Sequence, residues 1–315
     1  MAVTRVGPAA AGAGVDGGLG IAGPRELGNV RRFSHQAMAT VFEVHGVHAD
    51  RRYAAQAAQA AFDLADRVER ELSRFLPNSD VARINHLAAG ETTRVSPSTM
   101  ECLVVARHVF DLTGGAFDVS IGTGLPSLEL EPDDFLVRAT FSGVRIDLGG
   151  IGKGYAVDLM AELLEEWGLE TALVHGGFSS VLALEAPAGR DGWPLTLSDP
   201  GDRSRVVAHL SVRQTALGAS GLRKGDHIVD PRTGEPARGR RAAWVAVPRR
   251  EAAAAAADAL TTAFMLMSPG EVETLCEHSP GLEAWILPEP AEGQQGEASL
   301  LHFGGSRPGY TSASS

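Results

Sequence analysis

The sequence predicts an α+β fold in which mixed, largely antiparallel sheets are flanked by helices. Segments from Trp193 to Ser198 and from Val206 to Arg213 have strand character, and the polar loop between them predicts an antiparallel pair. Two other segments, Tyr53 to Phe75 and Glu251 to Met267, are rich in alanine and predict helices. The chain has 315 residues, of which 44% are hydrophobic, so it can bury a large core.

The chain divides into a leader, one domain and a tail. Residues 1–30 are rich in Gly, Ala and Pro and predict a disordered leader, residues 31–288 form the domain, and residues 289–315 form a polar tail with one candidate strand from Ser299 to Phe303. A strand is expected to include Thr40 to Val44. A helix opens at Ser96-Pro97, where Ser98 and Glu101 have the spacing of a capping box.

The second half of the chain alternates strands with glycine-rich turns. Residues 125–140 predict an irregular connection, and residues 218–239 a long loop whose length suggests a function. The further strands that we expect are Val144 to Asp147, Thr171 to His175, Val181 to Glu185, Trp244 to Val247 and Leu282 to Leu287.

Charge and cysteine content exclude several classes of protein. The formal net charge of −11 argues against nucleic-acid partners and against attraction to an anionic membrane surface. Cys102 and Cys276 lack metal-site spacing and are expected to be reduced core residues. We find neither a membrane-spanning run nor a signal peptide with a cysteine for lipid attachment, which favours a cytoplasmic protein.

The stretch from Val144 to Trp167 joins a predicted strand ending in Asp147 to an amphipathic helix through a glycine-dense turn. Lys153 stands where the helix begins, so its ammonium and the helix N-terminus can face the same anion, such as a phosphate or diphosphate. The turn matches neither the Walker sequence nor the dinucleotide-binding fingerprint. A tight turn without a ligand is an equally open interpretation.

The helix from Glu251 places Asp258, Thr261 and Thr262 on one face. A carboxylate and two hydroxyls are hard oxygen ligands, which suit Mg²⁺ better than zinc. The alternative is a solvated Asp258 with threonines that bond back to helix carbonyls.

His227 lies in the long loop beside Lys224, Asp226 and Asp230. It is a candidate general base or phosphate ligand, and an ordinary polar loop is the alternative. Phe117 and Asp118 follow two glycines and offer a ring and an acid to a ligand.

The order of the motifs resembles the ApbE family of FAD:protein FMN transferases. The motifs are MATVFEV, SRFLPNSDVARIN, TGGAFDVSIG, IDLGGIGKGYAVD, HIVDPRTGEPA and ADALTTAFM, and the resemblance runs from Ser34 to Leu287. It implies a two-lobed single domain that uses FAD and Mg²⁺ to attach FMN to a threonine or serine hydroxyl of an acceptor protein, releasing AMP.

The resemblance also implies roles for individual residues. His227 matches the proposed catalytic histidine, and Asp258 belongs to the catalytic centre as a metal ligand. The implied metal ligands are Asp258, the Thr262 hydroxyl and the Gly150 carbonyl, with Thr261 where some members place another ligand. The implied FAD contacts are Met38, Phe75, Ala116, Phe117, Asp118, Asp147, Lys153 and Val229.

Several positions depart from the family pattern. Phe75 stands where tyrosine is frequent, Ala219 begins the usual Thr-Ser-Gly, and Phe178 and Ser179 stand where many members carry aspartate. The connection between Asp118 and Asp147 is much shorter than usual. The export signal usual in the family is not seen here, which favours the cytoplasm, and the extracytoplasmic location usual for the family is the alternative. Two alternative functions stay open: a Mg²⁺-dependent FAD pyrophosphatase that yields FMN and AMP, and a non-catalytic FAD-binding protein.

Overall fold

The computed structural model describes residues 18–21, 29–120, 122–202, 204–222, 228–290, 299–305 and 311–312. The helices in this part of the chain are α1 (Arg51–Leu72), α2 (Asp80–Ile84), α3 (Pro97–Leu112), α4 (Gly152–Glu166), α5 (Ala253–Phe264) and α6 (Pro269–His278). The strands are β1 (Leu19–Ile21), β2 (Arg31–Ala37), β3 (Thr40–Gly46), β4 (Thr92–Arg94), β5 (Leu128–Glu131), β6 (Leu136–Ala139), β7 (Ala172–Gly176), β8 (Ser180–Ala183), β9 (Trp193–Ser198), β10 (Val206–Val212), β11 (Thr215–Gly221), β12 (Arg240–Pro248), β13 (Glu283–Pro288), β14 (Leu301–Phe303) and β15 (Thr311–Ser312).

The main sheet has eight strands in the order β14-β13-β12-β11-β8-β7-β3-β2. Every named strand pair in it is antiparallel, which confirms the predicted α+β class. Helices α1, α4 and α5 cover one face, and a four-stranded sheet, β1-β9-β10-β15, covers the other. Strands β7 and β8 are buried along their whole length because both faces of the sheet are covered.

A small third sheet, in the order β4-β6-β5, stands where an irregular connection was expected. Our prediction for residues 125–140 is therefore wrong. The strands are short, and β6 pairs with β4, which comes much earlier in the chain. The Leu-Glu alternation of β5 extends over only four residues, which is too short a pattern to distinguish a strand from a loop, and the pairing of β6 with β4 leaves no local signal.

The N-terminal region differs from the predicted pattern in two places. Leu19 is buried and β1 pairs with β9, so the prediction of a disordered leader is wrong for these residues, while 1–17 and 22–28 lie outside the described residues. The predicted strand around Thr40 is a hairpin of β2 and β3. Met38 and Ala39 form its turn with φ of 50° and 56°, although neither is a residue that usually adopts positive φ.

Three further expectations need correction. Ser96, not Ser98, caps α3, because its side chain accepts from the Thr99 backbone N–H. Residues 144–148 are not part of a sheet, although a strand was expected to end at Asp147. The expected loop from residue 218 begins as part of strand β11, because that segment pairs with β8 and β12 on its two sides.

Two expectations about composition can be compared with the structure. Cys102 and Cys276 are both free and buried, in α3 and α6, as predicted. Among the described helices, none combines the length and the apolar character needed to cross a membrane.

Candidate active site

Two adjoining cavities lie at the N-terminus of α4. The first, of about 200 Å³, is lined by Met38, Ala39, Glu69, Leu72, Ser73, Arg74, Phe75, Asp147, Leu148, Gly149, Gly152 and Lys153. The second, of about 330 Å³, is lined by Ala116, Phe117, Asp118, Val119, Asp147, Gly149, Gly150, Lys153, Ser179, Ala219, Ser220, Gly221, Ile228, Val229, Pro231, Asp258, Thr262 and Leu266. Asp147, Gly149 and Lys153 belong to both linings, so the cavities form one continuous cleft.

Asp258 is the buried acid of the second cavity. One of its carboxylate oxygens accepts from the Gly154 backbone N–H at 3.1 Å and lies 3.8 Å from Lys153 Nζ. Burial raises the pKa of Asp258 above its usual value, and the Lys153 ammonium is the first of the influences that oppose this shift. A buried carboxylate with one distant countercharge is a favourable place for a second cation.

Gly150 and Thr262 line the second cavity with Asp258, so a carbonyl and a hydroxyl are available there as oxygen ligands beside its carboxylate. A Cβ added to Gly150 would lie 3.6 Å from Thr262 Oγ1, so the glycine turn and α5 are close neighbours there. In the described part of the chain, no three His, Cys, Asp or Glu side chains form a metal-binding group. The donor set of one carboxylate, one hydroxyl and one carbonyl fits a hard divalent cation such as Mg²⁺, which keeps water among its ligands.

Two glycines allow the backbone of α5 to approach its neighbours. A Cβ on Gly154 would lie 2.1 Å from the Ala254 carbonyl oxygen, and a Cβ on Gly218 would lie 2.4 Å from that of Ala257. No side chain of any other residue fits in these positions without displacing α5. The sequence therefore fixes Asp258 between α4 and β11.

Asp158 caps α5 from a neighbouring helix. Its two carboxylate oxygens accept from the backbone N–H groups of Ala254 and Ala255, at 2.9 Å and 2.8 Å. The residue at the cap position, Ala252, has a φ of 53° and no side chain that can accept. Asp158 thus joins α5 to α4, the helix that carries Lys153.

Thr261 occupies a different position from Thr262. Its side chain is fully buried, its hydroxyl donates to the Asp258 backbone oxygen at 2.7 Å, and it is not among the residues that line the second cavity. Thr262 is half-buried and lines that cavity. The shared helix face predicted for Asp258 and the threonines therefore divides into a lining part and a buried part.

The first cavity carries an exposed aromatic ring beside two charges. The Phe75 side chain is 80% exposed, and the Arg74 guanidinium carbon lies 4.7 Å from its ring centroid. Arg74 Nε also lies 3.2 Å from Asp147 Oδ2, while Asp147 Oδ1 accepts from the Gly149 N–H at 2.9 Å. Met38 lines the same cavity from the strained hairpin turn.

The remaining predicted contacts lie together in the second cavity. Ala116 and Phe117 are buried in its wall, and Val229 is about half-exposed at 48%. Asp118 accepts from the Ser120 and Leu125 backbone N–H groups, at 2.7 Å and 3.3 Å, so its carboxylate also orders its own loop.

The family model for the ApbE family matches residues 38–127 and 123–286, which together include the lining of the cleft. The chain belongs to the ApbE family. It is 24% identical over 276 residues to an FAD:protein FMN transferase of Klebsiella pneumoniae, covering 75% of this chain and 77% of that protein. It is 28% identical over 284 residues to one of Treponema pallidum, covering 74% and 77%.

Solved ApbE structures share the fold. The flavinyl transferase ApbE of Pseudomonas stutzeri, in its apo form, superposes with a TM-score of 0.74 at 21% identity, covering 87% of this chain and 94% of that one. The ApbE protein of Thermotoga maritima gives a TM-score of 0.73 at 24% identity, covering 86% and 97%.

In this ApbE chain, most of the predicted site residues line one cleft. His227 lies outside the described residues, and its neighbours in sequence, Ile228 and Val229, line the second cavity. Thr261 is the one described member of the predicted set that lines neither cavity.

The cleft of this ApbE chain also contains residues that were not predicted as ligands or contacts. Arg74 and Ser220 line the cleft, and Asp158 holds α5 from behind. Arg74 and Asp158 lie inside two of the six motifs, and Ser220 lies in the segment that stands for the usual Thr-Ser-Gly, but nothing in their spacing distinguishes them from their neighbours. Ser179 lines the second cavity at one of the positions that depart from the family pattern.

Proposed function

We propose that this protein is an FAD:protein FMN transferase that uses Mg²⁺ and attaches FMN to a threonine or serine hydroxyl of an acceptor protein. One observation carries the proposal: Asp258, Thr262 and Gly150 line the second cavity together with Lys153, which also lines the first cavity and has its ammonium 3.8 Å from the Asp258 carboxylate. Membership of the ApbE family and the names of its relatives support the same activity.

Each cavity suits a different part of FAD. The exposed Phe75 ring and Met38 offer stacking and apolar contact to a ring system in the first cavity. The Lys153 ammonium belongs to both cavities, so a diphosphate that crosses the junction meets its positive charge. Asp258, Thr262 and the Gly150 carbonyl would hold Mg²⁺, which supplies charge neutralisation on the phosphoryl oxygens when it is bound.

The reaction is a displacement at the phosphorus of the FMN half. We assign His227 as the base that takes the proton of the acceptor hydroxyl. The hydroxyl oxygen then bonds to that phosphorus, the bond from phosphorus to the bridging oxygen breaks, and AMP leaves with the bridging oxygen. Lys153 offsets the negative charge that develops during this exchange.

The decisive experiment combines the full chain with FAD, MgCl₂ and an acceptor domain that carries a flavinylation threonine. We expect a covalent flavin on the acceptor, seen by in-gel fluorescence and intact-mass spectrometry, and an equal amount of AMP. An acceptor with this threonine changed to alanine is the control. AMP released without acceptor would identify a pyrophosphatase, and FAD binding with no reaction across a panel of acceptors would identify a binding protein.

Asp258→Asn tests the assigned metal ligand. This change removes the only carboxylate of the assigned ligand set with little change in shape, so transfer should be lost. Because burial opposes the charged form of Asp258, the thermal midpoint of the variant should stay at or above that of the parent protein. Mg²⁺-dependent transfer at the parental rate would contradict the assignment.

A further inference from the structure

Three hydroxyl groups form a chain between α5 and β11. Ser220 Oγ lies 2.9 Å from Thr261 Oγ1 and 3.5 Å from Thr262 Oγ1. Thr261 Oγ1 in turn lies 2.7 Å from the Asp258 backbone oxygen. Each hydroxyl has one proton to donate and two lone pairs that can accept. The direction of each hydrogen bond can therefore be worked out one after another, starting from the Asp258 backbone oxygen.

The direction of the hydrogen bonds is fixed at Thr261, the buried end of the chain of hydroxyls. A carbonyl oxygen only accepts, so the contact of 2.7 Å with the Asp258 backbone oxygen uses the single proton of Thr261. Thr261 must then accept from Ser220. The proton of Ser220 is committed to this bond, and Ser220 can only accept from its other neighbour.

The other neighbour is Thr262, which lines the second cavity. Because Ser220 only accepts, the favourable direction for the Thr262 proton is toward Ser220 Oγ. That direction leaves the lone pairs of Thr262 free to face the cavity. A hydroxyl binds a cation through a lone pair, whereas a proton pointing at the cation opposes binding.

We propose that Ser220 is a positioning residue that orients the Thr262 hydroxyl for a divalent cation. The proposal rests on the proposed function, because it assumes that Thr262 is a metal ligand. The proposal also assigns a role to Thr261, which accepts the hydrogen bond from Ser220 and does not bind the metal itself. Outer hydrogen-bond partners of this kind typically contribute a factor of about 10–100 in metal affinity.

The test is direct metal binding, measured on the full chain by electron paramagnetic resonance of free Mn²⁺, without FAD and without turnover. We expect Ser220→Ala and Thr261→Val each to weaken Mn²⁺ binding about 10-fold or more. Thr261→Ser keeps the hydroxyl and should restore binding to within about 3-fold of the parent protein. Ser211→Ala removes an exposed serine from a strand of the four-stranded sheet and is the matched control, with parental affinity.

The variants distinguish failure of the Ser220 proposal from failure of the metal assignment. If Ser220→Ala binds Mn²⁺ like the parent, the proposal is overturned. If Thr261→Ser and Thr261→Val lose affinity equally, the hydroxyl of Thr261 has no special role and the proposal is also overturned. Circular dichroism checks folding, and if Ser220→Ala does not fold, the two Thr261 variants decide. A parent protein that binds no Mn²⁺ overturns the metal assignment of the proposed function and this inference with it.

Discussion

Gly218 lies where β11 contacts the helix that carries Asp258, and Gly218→Ala should disturb both stability and the site. The added Cβ would lie 2.4 Å from the Ala257 carbonyl oxygen and 2.9 Å from the Asp258 backbone nitrogen, both of which belong to the rigid helix backbone. Ordinary contacts of this type begin near 3.4 Å, so α5 or β11 must move by about 1 Å. Overpacking of this kind costs about 1–3 kcal/mol.

Gly270→Ala is the matched control for this substitution. Gly270 lies in α6, and nothing lies within 4 Å of the position that its Cβ would take. Because alanine favours helices over glycine, the control should be neutral or gain up to about 1 kcal/mol.

Urea unfolding followed by circular dichroism measures the free energy of unfolding of both variants, and Mn²⁺ binding measures the effect on the site. We expect Gly218→Ala to lose about 2 kcal/mol and to bind Mn²⁺ more weakly, because Asp258 shifts relative to Gly150. Parental values for both quantities in Gly218→Ala would refute the claim that this close approach fixes α5.

Further predictions concern the first cavity and two buried ionisable groups. Phe75→Ala should weaken FAD binding by roughly 1–3 kcal/mol, the range seen when an aromatic ring that stacks on a base is removed. The thermal midpoint should not fall, because the Phe75 side chain is 80% exposed. Flavin fluorescence titration measures the affinity, and an unchanged affinity would contradict the prediction. Burial raises the pKa of Asp158 from 3.8 to about 7, so its contribution to stability is complete below the unfolded pKa and is lost as the pH rises through about 7. In Asp158→Asn, urea unfolding at several pH values should therefore show a smaller fall in stability over this range, and an unchanged slope would count against the assignment. Burial lowers the pKa of His175 from 6.5 to about 4, so its contribution is present above pH 6.5 and is lost as the pH falls through 4. His175→Gln should accordingly lose less stability on acidification in the same experiment, and equal acid sensitivity would show that other groups dominate.

The sequence predicted the parts of the site that depend on local spacing. Asp258 and Thr262 are four residues apart on a helix whose run of alanines strongly favours helical conformation, so their common face could be predicted. Lys153 was correctly placed at the start of α4 because the glycines before it mark a turn.

The features that could not be predicted depend on distant contacts or on unusual backbone conformations. The hairpin turn at Met38 and Ala39 has no glycine or asparagine to indicate positive φ. The hydrogen bonds of Ser220 join β11 to α5, about 40 residues apart in sequence. Asp158 caps a helix that begins far beyond its own. None of these relations leaves a periodic signal.

The short connection between Asp118 and Asp147 has its two ends joined by hydrogen bonds. The Asp147 N–H donates to the Val119 carbonyl oxygen at 2.7 Å, and Thr123 Oγ1 contacts the Arg145 backbone oxygen at 3.3 Å. The strands β5 and β6 lie between these points, so they form an excursion whose two ends are held together. The entropy of closing such an excursion changes only slowly with its length. The length of this segment can therefore change at little entropic cost to the fold, and its tip, far in sequence from the cleft residues Asp118 and Asp147, is a suitable place to insert a peptide tag or a fluorescent domain.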